Sequence, residues 1–221
     1  RDEGLRRYML NIYNYMAGGL ALTGVFALLF SQNEALFNLL YSVNEAGQLG
    51  MSPLGWIAML APLGFVLVLS FGIHKMSFQT AQLTFWAYAA IMGVSLSSIF
   101  LMYTGASIAR VFFISASVFG AMSLYGYTTK RDLTGMGSFL MMGLFGLLIA
   151  SLVNLFLQSS GLQFALSIIG VGIFVGLTAY DTQKLKGIYY ATAGTGELAA
   201  KMAIMGALNL YMDFINLFLF L

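Results

Sequence analysis

The sequence predicts an all-α polytopic membrane protein with seven transmembrane helices. Of its 221 residues, 60% are hydrophobic and only 8% are charged, and the mean hydropathy is +0.86. Soluble domains carry about 25% charged residues, so this chain has too few charges to cover a water-facing surface. A helix of about 20 apolar residues crosses the roughly 30 Å hydrocarbon core, and seven such runs use nearly the whole length. We therefore expect residues 1–221 to form a single transmembrane domain.

The first two spans are separated by the one long break in the pattern. Span 1 is predicted at about 9–31 and span 2 at about 54–74, where it ends at the basic pair "HK". The break, residues 31–53, is polar at its ends and moderately apolar within, which indicates a short interfacial helix at 34–41.

Short breaks separate the remaining five spans. Their sequences are "HKMS", "YTGAS", "TTKRDLTGMG", "QSSGLQ" and "ATAGTGE", and their glycine, serine, threonine and charged residues are typical of turns. They predict spans at about 78–102, 106–128, 134–158, 162–185 and 199–221.

The basic residues predict the orientation in the membrane. Positive charges accumulate on the cytoplasmic side of membrane proteins, and with the N-terminus inside nearly all of them fall there. Only Arg110 falls on the other side, one turn into span 4, where its side chain can snorkel outward. Seven spans then place the C-terminus outside. The cytoplasmic set is Arg1, Arg6, Arg7, Lys75, Lys130, Arg131, Lys184, Lys186 and Lys201.

Composition also excludes several kinds of functional site. The chain has no cysteine and a single histidine, His74, which excludes disulfides, thiolate metal sites, cysteine nucleophiles and a histidine-rich metal site within one chain. The net charge is only +2, and the basic residues flank apolar spans instead of forming a run, so nothing indicates nucleic-acid binding. We expect no bound cofactor.

Two aspartates interrupt the apolar character of the last two spans. An ionised carboxylate at bilayer depth costs at least about 2.5 kcal/mol, so such a group must be neutral, paired or facing water. Asn209, Asp213 and Asn216 follow the i, i+4, i+7 spacing of one helix face in span 7, and Asp181 shares a face with Thr178 in span 6. This polar stripe should face the interior of the bundle.

Two interpretations of the aspartates remain open on spacing alone. Asp181 and Asp213 face each other and hold one proton between them, because two close carboxyls resist ionising together. Alternatively, Asp181 is an interfacial residue near Lys184, and Asp213 bonds to a local side chain. The first interpretation describes a latch that closes when protonated and loosens when both carboxyls are charged.

The depths of the two aspartates present a difficulty. Asp213 lies 12 residues beyond Lys201, about 18 Å along a helix, whereas Asp181 precedes Lys186 by only 5 residues. For them to meet, either helix 6 continues past Lys186 toward Tyr190, or a cytoplasmic water pocket reaches inward.

His74 ends span 2 together with Lys75. It could titrate near neutral pH or pair with a carboxylate, or the two residues could simply mark the interface.

Three segments carry a resemblance to a known family. "SLYGYTTKRDLTGMGSFLMMGL" at 123–144, "GLTAYDTQKLK" at 176–186 and "ALNLYMDFINLFLF" at 207–220 closely resemble the Bax inhibitor-1 family, also called the transmembrane Bax inhibitor motif proteins, and are nearest to its bacterial members. The likeness covers helices 3 to 7 well and helices 1 and 2 more loosely.

The resemblance implies a seven-helix fold in which helix 7 is central to two three-helix layers. It also implies a pH-sensitive calcium leak, held shut by a protonated aspartate pair that maps here onto Asp181 and Asp213. A basic residue near the end of helix 2 is expected against this pair. That position holds His74, and if arginine is usual there, the latch itself becomes titratable.

The sequence therefore favours a calcium leak of the bacterial inner membrane over two alternatives. Asp181 and Asp213 would gate it and bind Ca²⁺ weakly, and His74, Asn209, Asn216 and Thr178 would support them or line the ion path. One alternative is a regulatory protein that acts on a partner such as a membrane protease. The other is an intramembrane aspartyl protease: "AYD" at 179–181 fits its first motif, but "LYMD" at 210–213 lacks both glycines of its second. We expect no enzymatic activity.

Overall fold

A computed structural model describes residues 2–192 and 196–221, with the side chain of residue 2 omitted. Arg1 and the centre of the predicted 191–197 break lie outside the described residues. The helices are α1 (Asp2–Gln32), α2 (Glu34–Leu40), α3 (Pro53–Gly72), α4 (Phe78–Leu96), α5 (Ile99–Met102), α6 (Gly105–Thr128), α7 (Thr134–Leu157), α8 (Ser160–Ala191) and α9 (Gly196–Phe220), and the strands are β1 (Tyr41–Val43) and β2 (Leu49–Met51).

Within the described residues, seven helices are long and apolar enough to cross a membrane, which confirms the predicted all-α polytopic class. Their surfaces carry large apolar side chains, such as Phe71, which is 80% exposed, and Phe156, which is 90% exposed. Aromatic side chains exposed to this degree are typical of a surface that faces lipid.

Two helices are longer than predicted because apolar packing continues past the charged residues that suggested their ends. α1 begins at Asp2 instead of residue 9, and its added turns bury Leu5 and Tyr8. α8 continues past Lys186 to Ala191, and Ile188 and Tyr189 in this added turn are half-buried. This length is in agreement with the first of the two routes by which Asp181 could meet Asp213.

Side-chain oxygens define where several helices begin. Ser52, Ser77 and Ser159 accept hydrogen bonds at 3.1–3.2 Å from the amides three residues later, which is the preferred N-cap arrangement. At the start of α7, hydrogen bonds from the hydroxyl (2.6 Å) and the amide (3.0 Å) of Thr134 to Asp132 lower the pKa of this exposed carboxyl.

The long 31–53 break has more structure than the sequence indicated. The predicted interfacial helix is present as α2, but a β-hairpin follows it, with β1 and β2 antiparallel and Ser42 opposite Gly50. Its turn is closed by Asn44, whose side-chain oxygen accepts from the amides of Ala46 and Gln48, and by Gly47 at φ +77°. The prediction missed it because each strand has only three residues.

The helices form two compact units. In one, α7 packs along α8, together with most of α6 and residues 209–221 of α9. In the other, α3 packs along α4, together with most of α1, α2, α5, the hairpin and residues 196–208. That residues 1–221 act as a single domain stays a prediction.

α9 is the most buried of the membrane spans. In its most apolar 18-residue window, 61% of the residues are buried, against at most 39% in the other described spans. A span with this share of buried residues packs mainly against protein and not against lipid. That helix 7 is central to two three-helix layers stays a prediction.

Candidate functional site

Ring packing brings α8 and α9 into register around the two aspartates. The rings of Phe174 and Phe220 stack with centroids 5.9 Å apart, and Phe220 also covers Gly170. Asp181 follows Phe174 by seven residues, and Asp213 precedes Phe220 by seven. Seven residues are about two helical turns, so each aspartate returns to the face that carries its aromatic ring.

The carboxyl groups of Asp181 and Asp213 lie within hydrogen-bonding reach of each other. Their surroundings differ: the Asp213 side chain is 5% exposed, whereas that of Asp181 is half-buried. The Oδ2 atom of Asp213 meets no N–H or hydroxyl donor of the described residues. A proton held on one carboxyl would let the pair form an O–H···O hydrogen bond without any further donor.

The other members of the predicted polar stripe are less buried than the apolar residues around them. Asn209 and Asn216 are half-buried, and the Asn216 amide donates to the carbonyl of Met212 at 2.9 Å. Leu210 and Leu217 on the other faces are 0% exposed. Asp213 is therefore the buried member of the stripe, and burial in α9 is not confined to the stripe.

Thr178 lies one turn before Asp181 in α8 and is 0% exposed. Its hydroxyl donates to the carbonyl of Phe174 at 2.7 Å. The oxygen keeps free lone pairs and can still accept a hydrogen bond.

His74 lies in the turn after α3, in the unit that contains α3 and α4. Its side chain is exposed, and its backbone carbonyl accepts a hydrogen bond from the Lys201 ammonium at 3.4 Å. The latch role assigned to its imidazole stays a prediction.

α6 contributes further hydroxyls. The sequence favoured a packing role over a pore-lining role for Ser115, and Ser123 was not singled out. The hydroxyls of Ser123 and Thr182 are 2.9 Å apart, and Thr182 donates to the carbonyl of Thr178 at 2.7 Å. Ser115, on the same face of α6, is 0% exposed. The signal was present in the spacing: Ser115, Phe119 and Ser123 repeat at four residues, but serine is also a common packing residue in membrane helices.

Among the described residues, no group of three or more histidine, cysteine, aspartate or glutamate side chains could hold a metal ion. A cation at Asp181 and Asp213 would therefore complete its shell with neutral oxygens and water. Ca²⁺ accepts carboxylate, carbonyl and water oxygens in flexible geometry, so the pair fits a weak and transient site.

The chain matches known proteins over almost its entire length. A family profile described as "Inhibitor of apoptosis-promoting Bax1" matches residues 5–221. An uncharacterized protein, RP147, of Rickettsia prowazekii (strain Madrid E) is 57% identical over 100% of this chain and 89% of its own length. The inner membrane protein YbhL of Escherichia coli (strain K12) is 49% identical over 99% of this chain and 90% of its own length.

Proposed function

This chain belongs to the Bax inhibitor-1 family, and from that premise we propose that it is a pH-sensitive cation leak of the bacterial inner membrane, with Ca²⁺ as its main cation. The observation that carries the proposal is the contact between the Asp181 and Asp213 carboxyls in the membrane-spanning helices α8 and α9. Transport of this kind needs no enzymatic step.

Closure follows from the shared proton. With one proton between them, Asp181 and Asp213 attract each other and hold α8 against α9. When that proton is lost, two negative charges about 4 Å apart repel by about 4 kcal/mol at an effective dielectric constant of about 20. A repulsion of this size shifts the equilibrium between the closed and open states about a thousandfold. Because the proton is lost as the pH rises, the leak rises with pH.

The two carboxyls differ in exposure, and they therefore have different roles in the proposed gate. Asp181 is half-buried and exchanges the proton with water, whereas Asp213, 5% exposed, holds the charge inside the bundle. Once both are ionised, they offer oxygens to a passing cation, and Asn209, Asn216 and Thr178 can supply neutral ones. A conducting site must bind weakly enough to release its ion, and two carboxylates are fewer than a tight calcium site uses.

The test is Ca²⁺ flux into liposomes that contain the purified protein, measured across a pH series. We expect wild-type flux to rise at least about tenfold with pH, given the repulsion between the carboxylates. Substitution of both Asp181→Asn and Asp213→Asn should abolish that rise, because neither amide ionises.

Asp132→Asn provides a matched control, because Asp132 is an exposed carboxyl at the start of α7. This substitution should leave the pH profile of the flux unchanged. Flux with an unaltered pH profile in the double variant would refute the proposal.

A second candidate function is regulation of a membrane-protein partner. The hairpin that follows α2 exposes apolar side chains, with Val43 64% and Leu49 51% exposed, and such residues mark contact surfaces when they cluster. Capture of a membrane protease by the double asparagine variant, but not by a chain with Val43→Ser and Leu49→Ser, would favour this function.

A further inference from the structure

Ser115 in α6 is a buried hydroxyl that the proposed gate leaves unexplained. Its side chain is 0% exposed, and its Oγ atom has no hydrogen-bond partner in the described residues. Other hydroxyls in this helix donate to the carbonyl four residues earlier, Ser117 to Phe113 at 2.8 Å and Thr128 to Leu124 at 2.8 Å. Ser115 forgoes this local bond and keeps its hydroxyl available.

The packing around Ser115 places it next to α9 near the aspartate pair. The rings of Phe112 and Phe119 both contact the ring of Phe214, at centroid distances of 5.5 and 5.6 Å. Residues 112, 115 and 119 share one face of α6, so Ser115 lies between two rings that bracket Phe214. Phe214 is the residue directly after Asp213.

The free-energy cost of an unpaired buried hydroxyl indicates that water or an ion binds at this position. A buried hydroxyl without a partner costs about 1–3 kcal/mol, and such groups in native proteins are usually satisfied by ordered water or an ion. In the closed state the Oδ2 atom of Asp213, in the same unit, depends on the proton shared with Asp181, because no N–H or hydroxyl donor of the described residues reaches it. When that proton is lost, Asp213 and Ser115 both need a polar partner, which water or a cation between α6 and α9 can supply.

We propose that Ser115 lines the cation path beside the aspartate pair, where its Oγ atom gives an oxygen to the partly dehydrated cation or to the water that travels with it. The inference rests on the proposed leak function and extends it with a third side chain, from a third helix. Ser115 does not gate the path, because a hydroxyl does not ionise at physiological pH. It lowers the barrier for a cation that leaves the two carboxylates.

The first test is Ca²⁺ flux through liposomes with Ser115→Ala, compared with Ser117→Ala. Ser117 lies on the same helix, but it is exposed and its hydroxyl is bonded to its own helix. We expect Ser115→Ala to lower the flux about three- to tenfold, which corresponds to one lost hydrogen bond, and to leave the pH of half-maximal flux unchanged. Ser117→Ala should leave both unchanged.

The second test uses the absence of cysteine from the chain. Ser115→Cys introduces a unique thiol, and we expect a charged methanethiosulfonate reagent to add to it at the pH of greatest leak, seen as a mass increase. The thiol of Ser117→Cys, on an exposed face of a membrane span, should stay unmodified because it faces lipid.

Unchanged flux in Ser115→Ala, or an unmodified thiol in Ser115→Cys, overturns the inference. The two levels of failure are distinguishable. If the wild-type protein shows no leak, the proposed function fails. If it leaks and only the Ser115 variants behave like the Ser117 controls, this inference alone fails.

Discussion

At the scale of single residues, close contacts between the helices depend on glycines that have no room for a methyl group. A Cβ atom on Gly126 of α6 would overlap the backbone carbonyl of Ala179 in α8, and one on Gly137 of α7 would overlap the ring of Tyr180. Small residues let membrane helices approach until dispersion between backbones holds them together. Since a backbone cannot rotate away as a side chain can, the Gly126 contact fixes the distance between α6 and α8.

We therefore predict that Gly126→Ala lowers the free energy of unfolding in detergent by about 1–3 kcal/mol, the usual effect of overpacking. Gly120→Ala is the control, because a Cβ atom at this position of the same helix meets nothing within 4 Å. Thermal unfolding followed by circular dichroism measures both variants. Equal melting temperatures for the two would contradict the steric argument.

At the scale of elements, each of two helix–helix turns is held by side chains of a third helix. The turn between α6 and α7 is held by α8: the Gln183 side chain accepts from the amide of Leu133 at 2.9 Å and donates to the carbonyl of Arg131 at 2.7 Å. Lys186 donates to the carbonyl of Tyr127 at 2.5 Å. These bonds also explain why α8 continues past its charged residues.

The turn between α3 and α4 is held by the first turns of α9 in a similar way. The Lys201 ammonium donates to the carbonyls of His74 and Met76, at 3.4 and 3.2 Å, and the Glu197 carboxylate accepts from the amide of Phe78 at 3.2 Å. The Lys201 ammonium lies at the end of α3 and the Glu197 carboxylate at the start of α4, and each charge interacts favourably with the dipole of that helix.

Lys201→Met should consequently lower the free energy of unfolding by about 1.5–3 kcal/mol, the range for hydrogen bonds to a charged group. Lys201 is only 8% exposed, so little solvent screening weakens these bonds. Methionine keeps the length and apolar stem of the side chain, which isolates the loss of the ammonium. Lys184→Met, at an exposed position of α8, should change the stability little, and a similar loss in both variants would argue against the capping role.

At the scale of the whole molecule, the distribution of charge predicts its orientation in the membrane. Successive spans alternate in direction, so the start of α1, the end of α3, the α6–α7 turn and the end of α8 share one side. These places carry Arg6 and Arg7, Lys75, Lys130 and Arg131, and Lys184 and Lys186. Because positive charge stays in the cytoplasm, the N-terminus should lie inside and the C-terminus outside.

Single thiols test this orientation, since the chain has no cysteine of its own. Glu45 lies in the hairpin turn and Lys130 in the α6–α7 turn, and both are exposed. A membrane-impermeant maleimide should label Glu45→Cys in cells whose outer membrane has been opened, and Lys130→Cys only after the inner membrane is permeabilised. The reverse pattern would invert the proposed topology.

Composition and the placement of charges were enough to predict the membrane class, the positions of the seven spans and the two aspartates that interrupt the apolar runs. These follow from local properties, since apolar run length and charge placement depend on neighbouring residues and on the membrane as solvent. The α2 helix was also predictable, whereas the hairpin strands were too short to give a pattern.

The packing of the helices established how those local features meet. It brought Asp181 of α8 to Asp213 of α9, and it made one carboxyl buried and the other half-buried. It also left the Ser115 hydroxyl without a partner. The physical reason is that contact depends on how far each helix extends and on which side chains interlock between helices distant in sequence, and neither property is encoded in any single apolar run.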